Sequence, residues 1–96
     1  MALIDTGADE CALPTSLAAR LGYTLEQGSA RQVATAGGDT TAYRHAVRIS
    51  VDGLLSRDSS VDFIPGLGMP LLGVNSFLSA MVLTVDYPQA IFTLTL

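Results

Sequence analysis

The stretch Ala2-Leu3-Ile4-Asp5-Thr6-Gly7-Ala8-Asp9 is the most informative part of the chain. Its apolar run predicts a short strand. The Asp-Thr-Gly that follows predicts a turn, because an aspartate side chain bonds nearby backbone N–H groups and glycine tolerates tight backbone conformations. A carboxylate, that of Asp5, therefore stands at the exit of an apolar strand. On its own this pattern also fits an ordinary turn, so its meaning depends on the rest of the chain.

The composition excludes several classes of protein. Of 96 residues, 49% are hydrophobic and 15% are charged, which favours one folded domain over residues 1–96 rather than a disordered chain. A net charge of -4 with only five basic residues argues against nucleic-acid binding. One cysteine and one histidine allow neither an internal disulfide nor a Cys/His zinc site, and we expect no metal and no cofactor. The low charged share is a first indication that a second copy covers apolar surface.

Short strands dominate the remaining pattern. Apolar and polar residues alternate with period two from Tyr43 to Val51, which predicts a strand. Gly37-Gly38-Asp39 before it and Asp52-Gly53 after it predict hairpin turns. A short helix is predicted from Ser16 to a stop at Gly22, and a second one capped by Asn75. Further strands are predicted at residues 10–13, 31–36, 61–64, 71–72, 81–85 and 90–96. We therefore expect a mostly β domain with one or two short helices.

The cellular location is less constrained by the sequence. Residues 64–85 carry no charge over a length that could span a bilayer, but their prolines and glycines interrupt any continuous helix. The first residues lack the basic and apolar regions of a signal peptide. The strand-like stretch begins directly after Met1, so we expect the natural protein to extend further upstream. The cytoplasm is favoured for the chain as given, and a membrane-anchored or periplasmic location if an upstream segment exists.

A second motif gives the first one its context. Pro70-Leu71-Leu72-Gly73-Val74-Asn75-Ser76-Phe77-Leu78 combines two aliphatics, a glycine and a short helical pattern. With the Asp-Thr-Gly stretch in front of it, the chain resembles the retropepsin-like aspartic proteases of bacterial type. Leu3 to Asp9 is similar to their catalytic loop, Leu71-Leu72-Gly73 to the buried strand and glycine beneath that loop, and Gly37-Gly38 to the tip of their flap hairpin.

The resemblance extends over almost the whole chain and includes two departures. Asp86-Tyr87-Pro88 before Ala90 to Leu94 resembles the C-terminal hairpin of bacterial members. Family members usually have one more hairpin before the catalytic loop, and we expect this N-terminal hairpin to be absent from the chain. Val74 stands where viral relatives often have an arginine that pairs with the acidic residue equivalent to Asp9.

The resemblance implies a small closed or partly open β-barrel of the retropepsin (acid protease) type, and an aspartic endopeptidase as its activity. Such chemistry needs two carboxylates facing one water, so the resemblance implies a homodimer in which each copy contributes Asp5. The ionised Asp5 would activate the water, and its protonated copy would donate to the peptide carbonyl. Thr6 and Gly7 would support the catalytic loop. A peptide or protein substrate would bind in extended form against Gly7, Ala8, Asp9, Ala36, Gly37 and Gly38.

Two other interpretations remain open at this point. The chain could be a catalytically weak or inactive retropepsin-fold module that binds peptides or dimerises, which predicts peptide binding without turnover. It could also be a small β domain whose turn matches the catalytic loop by coincidence, which predicts a monomer. In these interpretations Asp9 and Glu10 are ordinary solvated acids and Gly37-Gly38 is an ordinary hairpin tip.

Overall fold

The computed structural model describes residues 1–96, with eight strands and three short helices. In chain order the elements are β1 (Leu3–Ile4), β2 (Cys11–Pro14), α1 (Ser16–Arg20), a 3-10 helix (Leu25–Gln27), β3 (Ser29–Thr35), β4 (Gly38–Val51), β5 (Leu55–Ile64), β6 (Leu71–Leu72), a second 3-10 helix (Leu78–Ala80), β7 (Val82–Asp86) and β8 (Ile91–Thr95). Six strands form one mixed sheet in the order β1-β6-β2-β5-β4-β3, and β7 and β8 pair only with each other. The mostly β prediction is confirmed. Neither sheet closes on itself, so the structure has the partly open form of the predicted barrel.

The hairpin of β4 and β5 forms the centre of the large sheet. Its register runs from Tyr43 opposite Phe63 to Val51 opposite Leu55, and Gly53 closes the turn at φ 73°. In the predicted period-two stretch, apolar side chains such as that of Val47 are half-buried, and the alternate residues Ala46, Arg48 and Ser50 are exposed. The strand prediction is confirmed, and the alternation places one face of β4 over the core.

The core lies between this hairpin, β2 and the segment that follows β6. Its central cluster consists of the buried residues Cys11, Ala18, Val61, Phe63, Phe77 and Leu78. The ring of His45 on β4 packs edge-on against Tyr23 and Phe63, with ring centroids 5.3 and 5.4 Å apart. Its Nε2 also lies 2.9 Å from the carbonyl oxygen of Leu25. The only histidine is thus a packing residue that ties β4 to the first 3-10 helix.

Little of the chain is buried within one copy. Only 11 of 96 residues are buried. The radius of gyration is 14.0 Å, whereas a compact chain of this length would have roughly 12.5 Å. Ten large hydrophobic residues are exposed, several of them on β7 and β8. The surface of a single copy is therefore unusually apolar, in line with the low charged share of the sequence.

Three predicted elements differ from the structure. β5 begins at Leu55 rather than Val61, because Ser56 to Ser60 offer no apolar alternation and take their strand conformation from pairing with β4. The helix predicted from Asn75 is wrong, since only a 3-10 turn forms at Leu78–Ala80 and Asn75 caps no helix. The turn of the β3–β4 hairpin lies at residues 36–37, one position earlier than predicted, because Thr35 pairs with Gly38. No helix reaches the length and apolar character that crossing a membrane requires.

Candidate active site

The loop between β1 and β2, residues 5–10, carries the predicted catalytic residue. The backbone N–H of Asp5 donates to the carbonyl of Leu72 at 3.0 Å, and the N–H of Ala8 donates back to the carbonyl of Asp5 at 3.2 Å. Oδ1 of Asp5 accepts the N–H of Gly7 at 2.9 Å. This turn orients the half-buried carboxyl group with bonds made by its own loop, and it leaves Oδ2 without a hydrogen-bond partner in the chain.

Gly7 and Thr6 shape the exposed tip of the loop. A Cβ atom on Gly7 would lie 3.3 Å from Oδ1 of Asp5, so a side chain there would press on the carboxylate. The side chains of Thr6 and Asp9 make no hydrogen bond within the chain, and both residues are exposed. The polar groups of this loop therefore face outward, where a substrate or another copy could reach them.

The segment 70–76 supports the loop from behind. β1 pairs in parallel with β6, with Leu3 opposite Leu71. Beyond β6, the N–H groups of Val74 and Asn75 donate to the carbonyls of Ala8 and Asp9 at 2.8 and 2.6 Å. Backbone bonds thus hold both the beginning and the end of the loop. The second motif of the sequence lies directly beneath the first.

Gly73 permits this close contact. An added Cβ would lie 2.4 Å from the carbonyl carbon and oxygen of Glu10 and 2.9 Å from the carbonyl oxygen of Ala8. No side chain fits at these distances, so the two backbones can meet only because position 73 is a glycine.

Cys11 lies at the end of the loop and is 1% exposed. Burial raises the pKa of its thiol, although a hydrogen bond from the N–H of Gly73 to Sγ, at 3.4 Å, works in the opposite direction. The thiol is therefore protonated at neutral pH and acts as a small packing group.

The predicted flap residues lie at the exposed tip of the β3–β4 hairpin. The hydroxyl of Thr35 donates to the carbonyl of Gly38 at 2.6 Å, and Gly38 has φ 108°, a conformation that favours glycine. The tip faces residues 64–67, and together they line a cleft of about 530 Å³. Sequence reasoning missed residues 64–67, although the Pro65-Gly66 pair directly after β5 marks a loop there. Of the predicted substrate-binding residues, Ala36, Gly37 and Gly38 line this cleft, whereas Gly7, Ala8 and Asp9 do not.

A second groove, which we call the apolar groove, runs between β1 and the β7–β8 hairpin and reaches Thr6. It measures about 470 Å³, and nine of its eleven lining residues are hydrophobic. Leu3, Tyr87, Ile91 and Phe92 line it with 51 to 85% of their surface exposed. Exposed apolar surface of this extent is typical of a protein interface.

Comparisons with known proteins agree with this geometry. The family described as aspartyl protease matches residues 1–76. Among solved structures, the chain is similar to a retropepsin-like aspartic protease from Rickettsia conorii, with a TM-score of 0.73 and 28% sequence identity over 88% of this chain and 72% of that chain. No curated protein matches the chain. With the Asp-Thr-Gly loop and its supporting segment inside the matched region, the chain belongs to the aspartyl protease family and has a retropepsin-like fold.

Proposed function

We propose that this protein is an aspartic endopeptidase that acts as a homodimer, with Asp5 of each copy facing one water molecule. The observation that carries the proposal is the state of the Asp5 carboxyl group: Oδ1 is held by the N–H of Gly7, and Oδ2 has no partner in the chain. Membership of the aspartyl protease family supports a protease-type function.

The need for a second copy follows from the number of carboxylates. One chain contains one Asp-Thr-Gly sequence, and the hydrolytic mechanism requires two acidic groups. A two-fold axis places a residue beside its own copy and so turns one aspartate into a pair. The apolar groove next to Thr6 supports this arrangement, because a partner that covered it would bring the two loops together.

In such a dimer the pair would divide the acid and base roles. Two carboxylates a few Å apart cannot both ionise easily, so the pair holds one proton. The ionised carboxylate takes a proton from the water, whose oxygen attacks the carbonyl carbon of the peptide bond. The protonated copy gives its proton to the carbonyl oxygen. The proton taken from the water then passes to the peptide nitrogen, a hydroxyl proton of the tetrahedral intermediate returns to the second carboxylate, and the C–N bond breaks.

The substrate would bind as an extended peptide between the flap tip and residues 64–67. Their cleft is large enough for side chains of such a peptide. Closure of the tip over the peptide would exclude water from the reacting bond. The absence of a side chain at Gly7 would let the peptide backbone approach the paired aspartates.

The test of catalysis compares Asp5→Asn with Asp52→Asn, a matched change of an exposed aspartate in the β4–β5 turn. Cleavage of an unfolded protein at mildly acidic pH should disappear in Asp5→Asn and persist in Asp52→Asn, with the dimer intact in both by sedimentation. Cleavage that survives in Asp5→Asn would contradict the assignment. A wild-type protein that binds peptide without turnover would instead support the inactive-module interpretation.

The test of the dimer uses two hydrophobic residues of equal exposure. Ile91 in the apolar groove is 55% exposed, and Leu21 at the end of α1 is 54% exposed. Ile91→Lys should give an inactive monomer, because a desolvated charge opposes association, whereas Leu21→Lys should remain an active dimer. An Ile91→Lys protein that stays dimeric would show that the groove is not the interface. Full activity in a demonstrated monomer would refute the paired-aspartate mechanism.

A further inference from the structure

We propose that Ser76 and Glu10 form a positioning pair that holds the exit of the catalytic loop and thereby sets the geometry of Asp5 and Asp9. This inference rests on the proposed protease function for its kinetic consequences, but its structural part can be tested without any activity.

Ser76 connects three segments of the fold. It is 2% exposed, and its hydroxyl oxygen accepts the N–H of Cys11 at 2.9 Å. The same oxygen lies 2.7 Å from the carbonyl oxygen of Ser60 on β5 and is hydrogen-bonded to a carboxyl oxygen of Glu10. The Ser76 carbonyl accepts the hydroxyl of Ser59 at 2.7 Å. One buried serine thus joins the loop exit, β5 and the segment after Gly73.

No other side chain performs this role for the loop. Apart from the ladder pairing of Cys11 with Val61 on β5, the remaining bonds from other segments to residues 5–11 come from backbone groups of Leu72, Gly73, Val74 and Asn75. Backbone bonds set the distance between the loop and its support but do not involve the Glu10 side chain. The Ser76 hydroxyl fixes that side chain and the Cys11 N–H together, so it restricts rotation of the backbone between Asp9 and Cys11.

Ser76 and Glu10 are linked by the single proton of the Ser76 hydroxyl. A hydroxyl group has one proton to donate, and the Ser60 carbonyl can only accept. The contacts of Ser76 with Ser60 and with Glu10 therefore share one hydroxyl proton, so the two contacts depend on each other. Loss of either side chain removes the pair as a whole, which distinguishes it from two independent contacts.

The experiment uses Ser76→Ala, Glu10→Ala, the double variant and Glu10→Gln, whose amide can still bond to Ser76. Ser79→Ala is the matched control, because that exposed hydroxyl makes only one long bond, 3.3 Å, to the Asn75 carbonyl. On a peptide substrate, kcat should fall roughly tenfold in each single alanine variant with little change in KM, since a displaced catalytic group costs rate. The double variant should be no worse than either single one, Glu10→Gln should recover most of the rate, and Ser79→Ala should match the wild type.

Amide hydrogen exchange of residues 5–11 provides the readout that does not depend on catalysis. Exchange should accelerate in Ser76→Ala and Glu10→Ala but not in Ser79→Ala. If Ser76→Ala fails to fold, the exchange and kcat of Glu10→Ala test the pair alone, because Glu10 is only half-buried and its replacement is less disruptive to folding. The proposed pair would be refuted by unchanged exchange or unchanged kcat in the single alanine variants, or by additive losses of kcat in the double variant. A wild type without any cleavage would refute the proposed function and leave the exchange result to decide on the pair.

Discussion

The replacement Gly73→Ala tests how the loop that carries Asp5 is supported. Gly73 does not have a left-handed φ, so alanine is acceptable for its backbone and only the steric contact matters. Its Cβ would lie 2.4 Å from backbone atoms of Glu10, whereas ordinary van der Waals contact begins at 3.4 Å, so the loop must retreat by about 1 Å. Overpacking of this kind costs typically 1–3 kcal/mol, and rigid backbone neighbours place this case near the upper end, at about 3 kcal/mol. A small domain with roughly 5–15 kcal/mol of stability should still fold.

Activity should suffer more than folding. A displacement of about 1 Å at a catalytic group can lower the rate by about 100-fold, and residues 8–10 belong to the same loop as Asp5. Urea unfolding and kcat/KM on one peptide substrate measure the two effects. Gly68→Ala is the control, because its Cβ would meet no atom within 4 Å and its φ is not positive. A Gly73→Ala protein with wild-type stability and activity would refute the close contact, and equal losses in Gly68→Ala would point to chain flexibility instead.

Two further predictions concern groups away from the cleft. Burial raises the pKa of the Cys11 thiol. The stability that the protonated thiol contributes is therefore complete below the pKa of the unfolded chain, about 9, and is lost as the pH rises through the higher folded value. Between pH 8 and 11, urea unfolding should show a smaller fall in the free energy of unfolding for Cys11→Ala than for the wild type. Arg44 forms two hydrogen bonds with the buried carboxylate of Asp62, at 2.9 and 3.2 Å, so Arg44→Met should lower the free energy of unfolding by about 2–3 kcal/mol. The double change Arg44→Met with Asp62→Leu should recover much of this loss, and an unaffected single variant would mean that the ion pair contributes nothing.

The part of the fold that could be predicted is the part specified by local pattern. Alternation identified β4, and the Asp52-Gly53 pair identified the turn to β5. The first six residues of β5 escaped prediction because its core-side positions include Arg57 and Ser59, and no period-two signal marks them. The turn after Gly73 looked helical from Asn75 onward. In the structure, however, the N–H groups of Leu78 and Ser79 donate to carbonyls five residues back, a pattern that local propensity does not predict.

The candidate site also has one part that the sequence predicted and one part that it did not. Asp5, Thr6 and Gly7 were recognisable as a motif, because the strand, the carboxylate and the glycine are consecutive. Ser76 was not recognisable, since its partner Cys11 lies 65 positions away and a lone serine in a turn has no distinctive pattern. Residues 64–67 share a cleft with the flap tip only through the fold. The sequence alone identified the acidic residue but did not predict the long-range contacts between polar groups.

The support of the Asp5 loop, residues 5–10, explains how its side chains can remain available for the proposed function. The bond from the Leu3 N–H to the Pro70 carbonyl, at 2.8 Å, and the bond from the Asn75 N–H to the Asp9 carbonyl enclose the loop at its two ends, and both are made by backbone groups. The side chains of Thr6 and Asp9 form no hydrogen bond within the chain, and Oδ2 of Asp5 is likewise unpaired. Folding of one copy therefore depends on position 73, where only glycine fits, and barely on the Asp5 carboxylate. It follows that Asp5→Asn should remove activity with stability unchanged, whereas Gly73→Ala should lower both.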